Sequence, residues 1–345
     1  MTSQNLTNIS EIGEFNLINR LTKNVHIQHS ETLKGIGDDA AVVNYGNKKQ
    51  VITTDLLVEG IHFNLSYTPL KHLGYKAVAV NLSDVYAMNA IPLHITVSIA
   101  VSSRFTVEAL DELYDGIKAA CKKYKVDLIG GDTTSSIKGL VISITAIGIV
   151  PESGYVLRSG AKENNLICLS GNVGAAYMGL QLLEREKAIF EQNPEAQPQL
   201  HGYDYILQRQ LKPEPRADLI EFLYSNNIVP TAMIDVSDGL SSEILHICQN
   251  SNTGCEIYED RIPIAEETAS MAYELNMEPL LAALNGGEDY ELLFTINIAD
   301  YEKIKDSKLF SIIGNITSAE KGTYIVDKND NVIPLNSTGY QAFNN

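Results

Sequence analysis

The sequence predicts an α/β (α+β) fold of two domains, and three observations support this prediction. The chain has 345 residues, 44% of them hydrophobic, which is enough for two cores because most domains hold about 100 to 150 residues. Short apolar runs typical of strands alternate with segments of helical periodicity. Turn-forming residues interrupt this pattern at residues 151–154. We therefore expect an N-terminal domain over residues 1–150 and a C-terminal α/β domain over residues 151–345.

In the N-terminal half, the spacing of apolar residues predicts each element. Residues 15–21 should form a short amphipathic helix, and residues 50–54 a strand. Apolar residues recur at helical spacing from Pro69 onward, and Asp84 lies on the same stripe, where a carboxylate needs a partner. The remaining elements of this half are a strand at 93–101, a helix at 110–124, a strand at 126–129 and a strand at 140–150.

In the C-terminal half, strands and helices continue to alternate. A strand is expected at residues 166–169, followed by a tight turn and a helix at 175–186. Residues 192–201 are rich in Gln and Pro, which predicts a surface loop. The later elements are a strand at 231–234, a helix that starts after Asp238 and a strand at 291–296.

Aspartates recur at the ends of short apolar runs in both halves of the chain. Carboxylates repel one another and are costly to desolvate, so a cluster of them is tolerated mainly where cations neutralise the charge. Oxygen ligands favour hard ions such as Mg²⁺. The pattern therefore predicts one multi-metal site assembled from distant segments. The segments are Gly37-Asp38-Asp39, Thr53-Thr54-Asp55, Asn81-Leu82-Ser83-Asp84, Gly130-Gly131-Asp132, Asp235-Val236-Ser237-Asp238-Gly239 and Gly286-Gly287-Glu288-Asp289-Tyr290.

Each of these motifs, taken singly, also has an ordinary structural interpretation as a helix N-cap or a turn. No segment has the alternating acids and terminal Glu of an EF-hand calcium loop. Residues 35–40 match G-x-G-x-x-A, but the preceding segment is a poor strand and two acids would face a pyrophosphate, so a dinucleotide site is not favoured. The chain has no P-loop and no H-R-D or D-F-G triplet. A bound nucleotide would therefore be held by glycine-turn amides and metal ions.

Two basic residues are further candidates. Arg158 follows the proposed boundary, where two domains can face each other, and it is the best single cation for a phosphate. A surface arginine at a turn is the alternative. His62, seven residues after Asp55, is a candidate for orienting a substrate phosphate, with a structural histidine as the alternative. The other histidines lack the spacing of a zinc site.

Composition limits the partners. The formal net charge of −17 argues against a nucleic-acid binder, because phosphate backbones are held by clustered Lys and Arg. The four cysteines form no C-x-x-C pair and are expected to be buried thiols in a reducing compartment. The polar N-terminus does not have the layout of a secretory signal, and no apolar run is long enough for a membrane span. We expect a soluble cytoplasmic protein without a membrane partner.

Taken in order, the motifs resemble those of the thiamine-monophosphate kinase family, within the superfamily of aminoimidazole ribonucleotide synthetase and selenophosphate synthetase. The resemblance spans nearly the whole chain. It implies a two-domain synthetase-like fold in which the N-terminal sheet pairs across a homodimer and the C-terminal α/β domain completes the active-site cleft. It rests on GIGDDAA at 35–41, TTD at 53–55 with EGIHF at 59–63, YKAVAVNLSD at 75–84, LIGGDTT at 128–134, RSGA at 158–161, DVSDGL at 235–240 and GGEDYEL at 286–292.

The resemblance also implies roles for individual residues. The ligands of several Mg²⁺ ions shared with the ATP phosphates would be Asp39, Thr53, Thr54, Asp55, Asp84, Asp132, Asp235 and Asp238. The nucleotide contacts would be Tyr114, Gly131, Asp132, Arg158 and Ser237. The contacts with thiamine monophosphate would be His62, Glu288 and, as an aromatic wall in the C-terminal tail, Tyr340. Catalysis would depend most on Asp55, Asp84, Asp132 and Asp235.

The activity implied by the resemblance is in-line transfer of the γ-phosphoryl group of ATP to thiamine monophosphate. The acceptor phosphate is already ionised near neutral pH, so charge control and positioning suffice without a strong general base. One alternative is a related ATP-dependent synthetase with another acceptor, although the reactive Cys typical of selenophosphate synthetases is missing before Asp38. The other alternative is a non-catalytic protein that binds divalent ions or nucleotides.

Overall fold

The computed structural model describes residues 18, 22, 27–46 and 48–336. Within this part, the chain forms a mixed α/β structure with two sheets, as the sequence predicts. The helix predicted at residues 15–21 lies almost wholly outside the described residues, and so does Tyr340.

The first sheet has six strands in the order β1-β2-β3-β6-β4-β5. Neighbours are antiparallel except β4 and β5, which are parallel. The strands are β1 (Thr32–Lys34), β2 (Ala41–Asn44), β3 (Lys49–Val58), β4 (Ile91–Val101), β5 (Asp127–Ser135) and β6 (Leu140–Ile149).

Two helices of this half, α1 (Leu70–Ala87) and α2 (Val107–Tyr124), pack closely against each other. Glycines make the close approach possible. A Cβ on Gly74 would lie 2.0 Å from the Leu113 carbonyl oxygen, and one on Gly116 would lie 1.9 Å from that of Lys71. Any larger residue at either crossing point would therefore force the two helices apart.

The second sheet has seven strands in the order β13-β12-β9-β11-β7-β10-β8, with only the β12–β9 pair parallel. Its strands are β7 (Leu166–Ser170), β8 (Ala232–Asp235), β9 (Thr253–Tyr258), β10 (Leu292–Ile296), β11 (Phe310–Ser318), β12 (Thr323–Val326) and β13 (Val332–Pro334). The helices are α3 (Ala175–Gln192), α4 (Asp204–Leu211), α5 (Ala217–Ser225), α6 (Leu240–Ser251), α7 (Glu266–Glu274), α8 (Pro279–Asn285) and α9 (Tyr301–Ile304). Short 3₁₀ turns lie at Glu259–Arg261, Ile298–Asp300 and Ala319–Lys321.

Helix α1 lies between the two sheets and contacts β3, β6 and β8. Fourteen of its 18 residues are buried, so it is covered on every side rather than along one stripe. The apolar core is continuous around it, and includes Ile144 of the first sheet and Phe294 of the second. Polar residues on such a helix must find partners inside the protein.

Two strands are longer than the sequence predicts. Strand β3 continues through Asp55 to Val58, and β5 continues through Gly130, Gly131 and Asp132. These polar residues were expected just beyond the strands, and that expectation is wrong. The hydrogen-bond ladders with the neighbouring strands β6 and β4 continue past the apolar residues and keep the chain extended.

Three further expectations concern the cysteines, membrane-spanning helices and the boundary between the domains. The four cysteines are buried and unpaired, as predicted. Among the described residues, helices of the length and apolarity needed to cross a bilayer are not found. The chain passes from the first sheet to the second between Ile149 and Leu166. The division into two domains at residue 150 stays a prediction.

Candidate active site

A cavity of about 1120 Å³ lies beside α1, between the segments that carry the acidic motifs. We call this cavity the hollow. Its wall combines residues of the first sheet, α1, the loop between β8 and α6 and the loop before β10, so it exists only in the folded chain. The predicted residues that line it are Asp39, Thr53, Thr54, Asp55, His62, Asp84, Arg158, Asp235, Ser237, Asp238 and Glu288.

Three carboxylates meet at one end of the hollow. Asp39 comes from the loop before β2, Asp84 from α1 and Asp235 from the end of β8. Each offers an oxygen within 4.8 Å of the others. Asp39 and Asp235 are buried, at 7% and 3% exposure. We call these three residues the acidic cluster.

The acidic cluster is electrostatically unfavourable without a cation. Burial raises the pKa of Asp84 well above its ordinary value, and the charges of Asp55, Asp235 and Asp39 raise it further. Burial likewise raises the pKa of Asp235 to about 7 and that of Asp55 to about 6. Like charges at close range in a desolvated place produce such shifts, which mark functional sites in many proteins.

Neighbouring side chains hold the carboxylates in place. The Thr53 hydroxyl donates to Asp84 Oδ2 at 2.6 Å, and the Ser83 hydroxyl donates to Asp235 Oδ2 at 2.6 Å. The backbone N–H of Asp55 donates to Asn81 Oδ1 at 3.1 Å. Sequence reasoning did not assign roles to Asn81 and Ser83, although both precede Asp84 in the same motif.

The residues fit a hard divalent cation. The donors are carboxylate oxygens, with the Thr53 hydroxyl beside them, and Mg²⁺ prefers such ligands. Asp39 Oδ2 is buried and has no hydrogen-bond partner. Its other oxygen, Oδ1, accepts from Arg158 Nη2 at 2.7 Å. The cluster therefore has acceptor capacity that a cation would satisfy.

The loop after β8 adds Ser237 and Asp238 to the same end. The Ser237 carbonyl accepts from the Glu288 backbone N–H at 2.8 Å, which joins this loop to the one before β10. The Asp238 backbone N–H donates to Glu243 Oε1 at 3.1 Å. Glu243 is 2% exposed, and burial raises its pKa well above its ordinary value. Sequence reasoning missed Glu243, because an acid in the first turn of a helix is common.

Glu288 lies in the other part of the hollow. Its backbone φ is +66°, a value that non-glycine residues rarely adopt. Lys76 of α1 and Gln210 of α4 contact its carboxylate. His62 also lines the hollow, and its Nδ1 accepts from the Val58 backbone N–H at 2.9 Å.

A buried ionic network supports the loop that carries Glu288. Asp289 accepts from the backbone N–H groups of Gly174 and Ala176 at 2.6 and 3.2 Å, at the start of α3. Arg209 donates to Glu291 at 2.7 Å, and Arg216 donates to the same carboxylate at 2.5 Å. We call Arg209, Arg216, Asp289 and Glu291 the support network. The sequence shows that these residues are present, but it does not show which of them contact one another.

Four of the predicted site residues are not among the residues that line the hollow in the part of the chain that the structure describes. Strand pairing places Asp132 in the same row as Leu56, Ser143 and Ser98. This row lies on the outer face of the first sheet, where Leu56 is 54% exposed. Gly131 neighbours Asp132 on β5, Tyr114 lies on α2, and Tyr340 is outside the described residues.

Asp55 and Asp132 are therefore separated within one chain. Asp55 shares its row with the buried residues Ile144 and Val97, on the opposite face of the sheet. Three strand-to-strand steps separate β3 from β5, which is about 14 Å at the usual strand spacing.

The chain is similar to known proteins over nearly its whole length. The family described as "AIR synthase related protein, N-terminal domain" matches residues 37–150. A thiamine-monophosphate kinase of Bacillus subtilis (strain 168) is 35% identical over 338 residues, which cover 96% of this chain and 100% of the relative. One from Buchnera aphidicola subsp. Schizaphis graminum is 38% identical over 339 residues, 96% of this chain and 99% of the relative.

Solved structures agree with these relatives. The structure described as "AaThiL complexed with AMPPCP and TMP" has a TM-score of 0.83 and 30% identity, and covers 98% of this chain and 99% of that one. The thiamine monophosphate kinase from Aquifex aeolicus has a TM-score of 0.77 and 28% identity, with 95% and 100% coverage.

Proposed function

Because this chain belongs to the thiamine-monophosphate kinase family, we propose that it transfers the γ-phosphoryl group of ATP to thiamine monophosphate, giving thiamine diphosphate and ADP. The observation that carries the proposal is the hollow itself. One end has buried carboxylates suited to cations, and another part has a lysine, a glutamine and a glutamate suited to an organic group.

The residues that would hold Mg²⁺ are those of the acidic cluster, with Thr53, Thr54, Asp55 and Asp238. When bound, the ions would supply positive charge that bridges the phosphates and spreads the charge of the transition state. The chain itself positions the reactants. Arg158 is at the cluster and can donate to a phosphate. The acceptor is an ionised phosphate, so no side chain has to remove a proton during transfer.

The direct test is to mix the purified protein with ATP, Mg²⁺ and thiamine monophosphate and to measure ADP and thiamine diphosphate. We expect both products in equal amounts, with ADP release that depends on the acceptor. ATP hydrolysis at the same rate with and without thiamine monophosphate would contradict the proposal. Binding of ATP without turnover would also contradict it and would favour a non-catalytic nucleotide-binding protein.

We also propose that the protein acts as a homodimer in the cytoplasm. All nine residues of β5 are exposed, including Leu128 and Ile129 at 38% and 56%. A long exposed edge strand with apolar residues is a template for pairing with another chain. Since Asp132 lies on the outer face and about 14 Å from β3, it would serve the partner's site rather than its own.

This arrangement predicts complementation between two inactive variants, Asp84→Asn and Asp132→Asn. Co-expressed with different tags, they should form mixed dimers in which one site carries both changes and the other carries neither. Random association then gives about a quarter of wild-type activity in the total dimer pool. If Asp132 acts within its own chain, every site keeps one change and the mixture stays inactive. Sedimentation of the wild-type protein provides the independent check of the dimer.

Magnesium should stabilise the protein in a pH-dependent way. The folded-state pKa values of Asp55 and Asp235, about 6 and 7, exceed the ordinary value of 3.8. The folded protein therefore holds protons that the unfolded chain releases, and metal-free stability falls as pH rises from about 4 through 7. Carboxylate ligands must lose their protons to bind a metal ion, so Mg²⁺ competes with protons for these carboxylates most effectively at high pH.

At a fixed Mg²⁺ concentration that is about 100 times the Kd measured at about pH 8, we expect a gain of about 2.7 kcal/mol at that pH and clearly less at about pH 5.5, where the Kd is larger. Thermal unfolding at both pH values, with and without Mg²⁺, measures the difference. An equal shift at both pH values would argue against these carboxylates as ligands.

A further inference from the structure

Two backbone N–H groups that follow Arg158 share one acceptor. The Ser251 Oγ accepts from the backbone N–H of Gly160 at 3.2 Å and from that of Ala161 at 3.1 Å. A serine hydroxyl offers two lone pairs as acceptors, and these two donors occupy both. Ser251 is 91 and 90 residues away from the donors in sequence, so only the folded chain brings these groups together.

Helix α6 holds Ser251 in place. Ser251 is the last residue of this helix, and Ile244 and Ile247 of the same helix are buried in the core of the second sheet. The first turn of α6 contains Glu243, which accepts from the Asp238 backbone N–H at 3.1 Å. One packed helix therefore connects the loop that follows β8 with the segment that contains the arginine.

The backbone is also anchored before Arg158. The Leu157 carbonyl oxygen accepts from the Met233 backbone N–H at 3.0 Å, which attaches residue 157 to β8. After the arginine, Gly160 has a φ of +117°, and a Cβ there would lie 2.4 Å from the Thr231 carbonyl oxygen. The positive φ and the close contact both require glycine. The course of the backbone is therefore closely specified on each side of Arg158.

The side chain of Arg158 lies between α6 and the acidic cluster. Its Nη2 donates to Asp39 Oδ1 at 2.7 Å. Burial and, second, the positive charge of Arg158 lower the pKa of His246 on α6 to about 4, so this charge lies beside the helix. The arginine side chain is 20% exposed and lines the hollow. Because a guanidinium has five N–H donors, it can bind Asp39 and a phosphate at the same time.

We propose that Ser251 is a positioning residue for phosphoryl transfer: it holds the backbone after Arg158 and thereby directs the guanidinium at the nucleotide phosphates in the hollow. Ser251 acts through Arg158, since it is not among the residues that line the hollow. This inference rests on the proposed function, in which Arg158 donates to a phosphate. A displacement of about 1 Å in a positioned group can lower an enzymatic rate by about a hundredfold.

The first test is the affinity for β,γ-methylene ATP, an analogue that does not transfer its phosphoryl group, measured by calorimetric titration with Mg²⁺ present. Ser251→Ala should weaken this affinity about fivefold or more, because two hydrogen bonds that fix the backbone are lost. In steady-state kinetics KM for ATP should rise by a similar factor, while KM for thiamine monophosphate stays within about twofold of wild type. Hydrogen exchange of the Ala161 amide should be faster in the variant.

A double-mutant cycle shows whether the effect passes through Arg158. Arg158→Met removes the guanidinium and keeps an apolar stem. In that background Ser251→Ala should change the affinity for the analogue less than about twofold, because the group that Ser251 positions is already absent. Two independent contributions would instead give the same fold loss in both backgrounds.

Matched variants separate positioning from general damage. Ser225→Ala makes the same change at the last residue of another helix, α5, where the serine is exposed, and should leave the affinity unaltered. Ser251→Thr keeps the hydroxyl and should recover most of the affinity, whereas Ser251→Val has a similar size without the hydroxyl and should not. Should Ser251→Ala fail to fold, the comparison of these two variants decides the question.

The outcomes distinguish the two proposals. A wild-type protein that binds the analogue but transfers no phosphoryl group to thiamine monophosphate would overturn the proposed function, and the affinity cycle would still decide the role of Ser251 toward a bound nucleotide. With an active wild-type protein, full affinity in Ser251→Ala, or an equal loss with and without the Arg158 guanidinium, would overturn this inference alone.

Discussion

Asp84→Asn should abolish most of the kinase activity and, at the same time, raise the thermal stability of the metal-free protein. The substitution removes a charge from a place where burial and three neighbouring carboxylates already raise the pKa of Asp84. The amide has the same size and can still accept from the Thr53 hydroxyl. Stability should therefore rise, in contrast to most substitutions of buried polar residues.

The expected fall in kcat for Asp84→Asn is about a thousandfold or more, because a central ligand for the charge of the transferred group is lost. Steady-state kinetics and thermal unfolding of the same preparation measure both effects. Asp115→Asn is the matched control, since Asp115 is exposed on α2 and pairs with Lys118 across one helical turn. Activity within about tenfold of wild type, or a clear loss of stability, would remove Asp84 from the proposed role.

Arg209→Met should destabilise the protein by about 3 to 5 kcal/mol, because it removes the cation that contacts the buried Asp289 and one of the two that contact the buried Glu291. Arg209 is the residue of the support network that contacts both Asp289 and Glu291. It also donates to the Asn172 carbonyl oxygen at 2.9 Å, which joins the turn before α3 to the same network. Urea-induced unfolding of the two proteins side by side measures the loss.

The same variant should bind thiamine monophosphate poorly, since the network supports the loop that carries Glu288. Arg185→Met provides the control. Arg185 is 28% exposed and pairs with the buried Glu186 and with Glu274, whose side chain is 44% exposed. Because solvent screens this pair with Glu274, we expect a smaller loss of stability than for Arg209, which is 17% exposed between two carboxylates that are at most 1% exposed. Equal stability losses in the two variants would show that the support network has no special importance.

Part of the acidic cluster could be predicted from local sequence patterns. Asp84 follows an apolar stripe at helical spacing, and this alone predicts a buried carboxylate that needs a partner. Asp39 and Asp235 also lie in aspartate motifs at the ends of short apolar runs. A metal site shared by all three carboxylates could therefore be proposed from the sequence. The structure brings the three together.

Lys76 shows the opposite case. A lysine in a helix is normally expected at the surface, with only its stem covered. Its burial depends on α4 and on the loop at Glu288, which are more than 130 residues away in sequence. No periodicity within α1 carries that information.

The chain's own order of residues was sufficient for about half of the helical and strand segments, for the residue types of the site and for the family, whereas strands such as β9 and β11 and helices such as α4 and α5 were not predicted. The predicted features follow from interactions within a few residues and from motif content. The separation of Asp132 from Asp55, the pairing of Lys76 with Glu288 and the support network required the folded protein. Which strands neighbour each other, and which face each side chain takes, depends on hydrogen-bond registers and packing between distant segments. The free energies of these long-range contacts depend on residues that are far apart in the chain, so the local spacing of apolar residues does not reveal them.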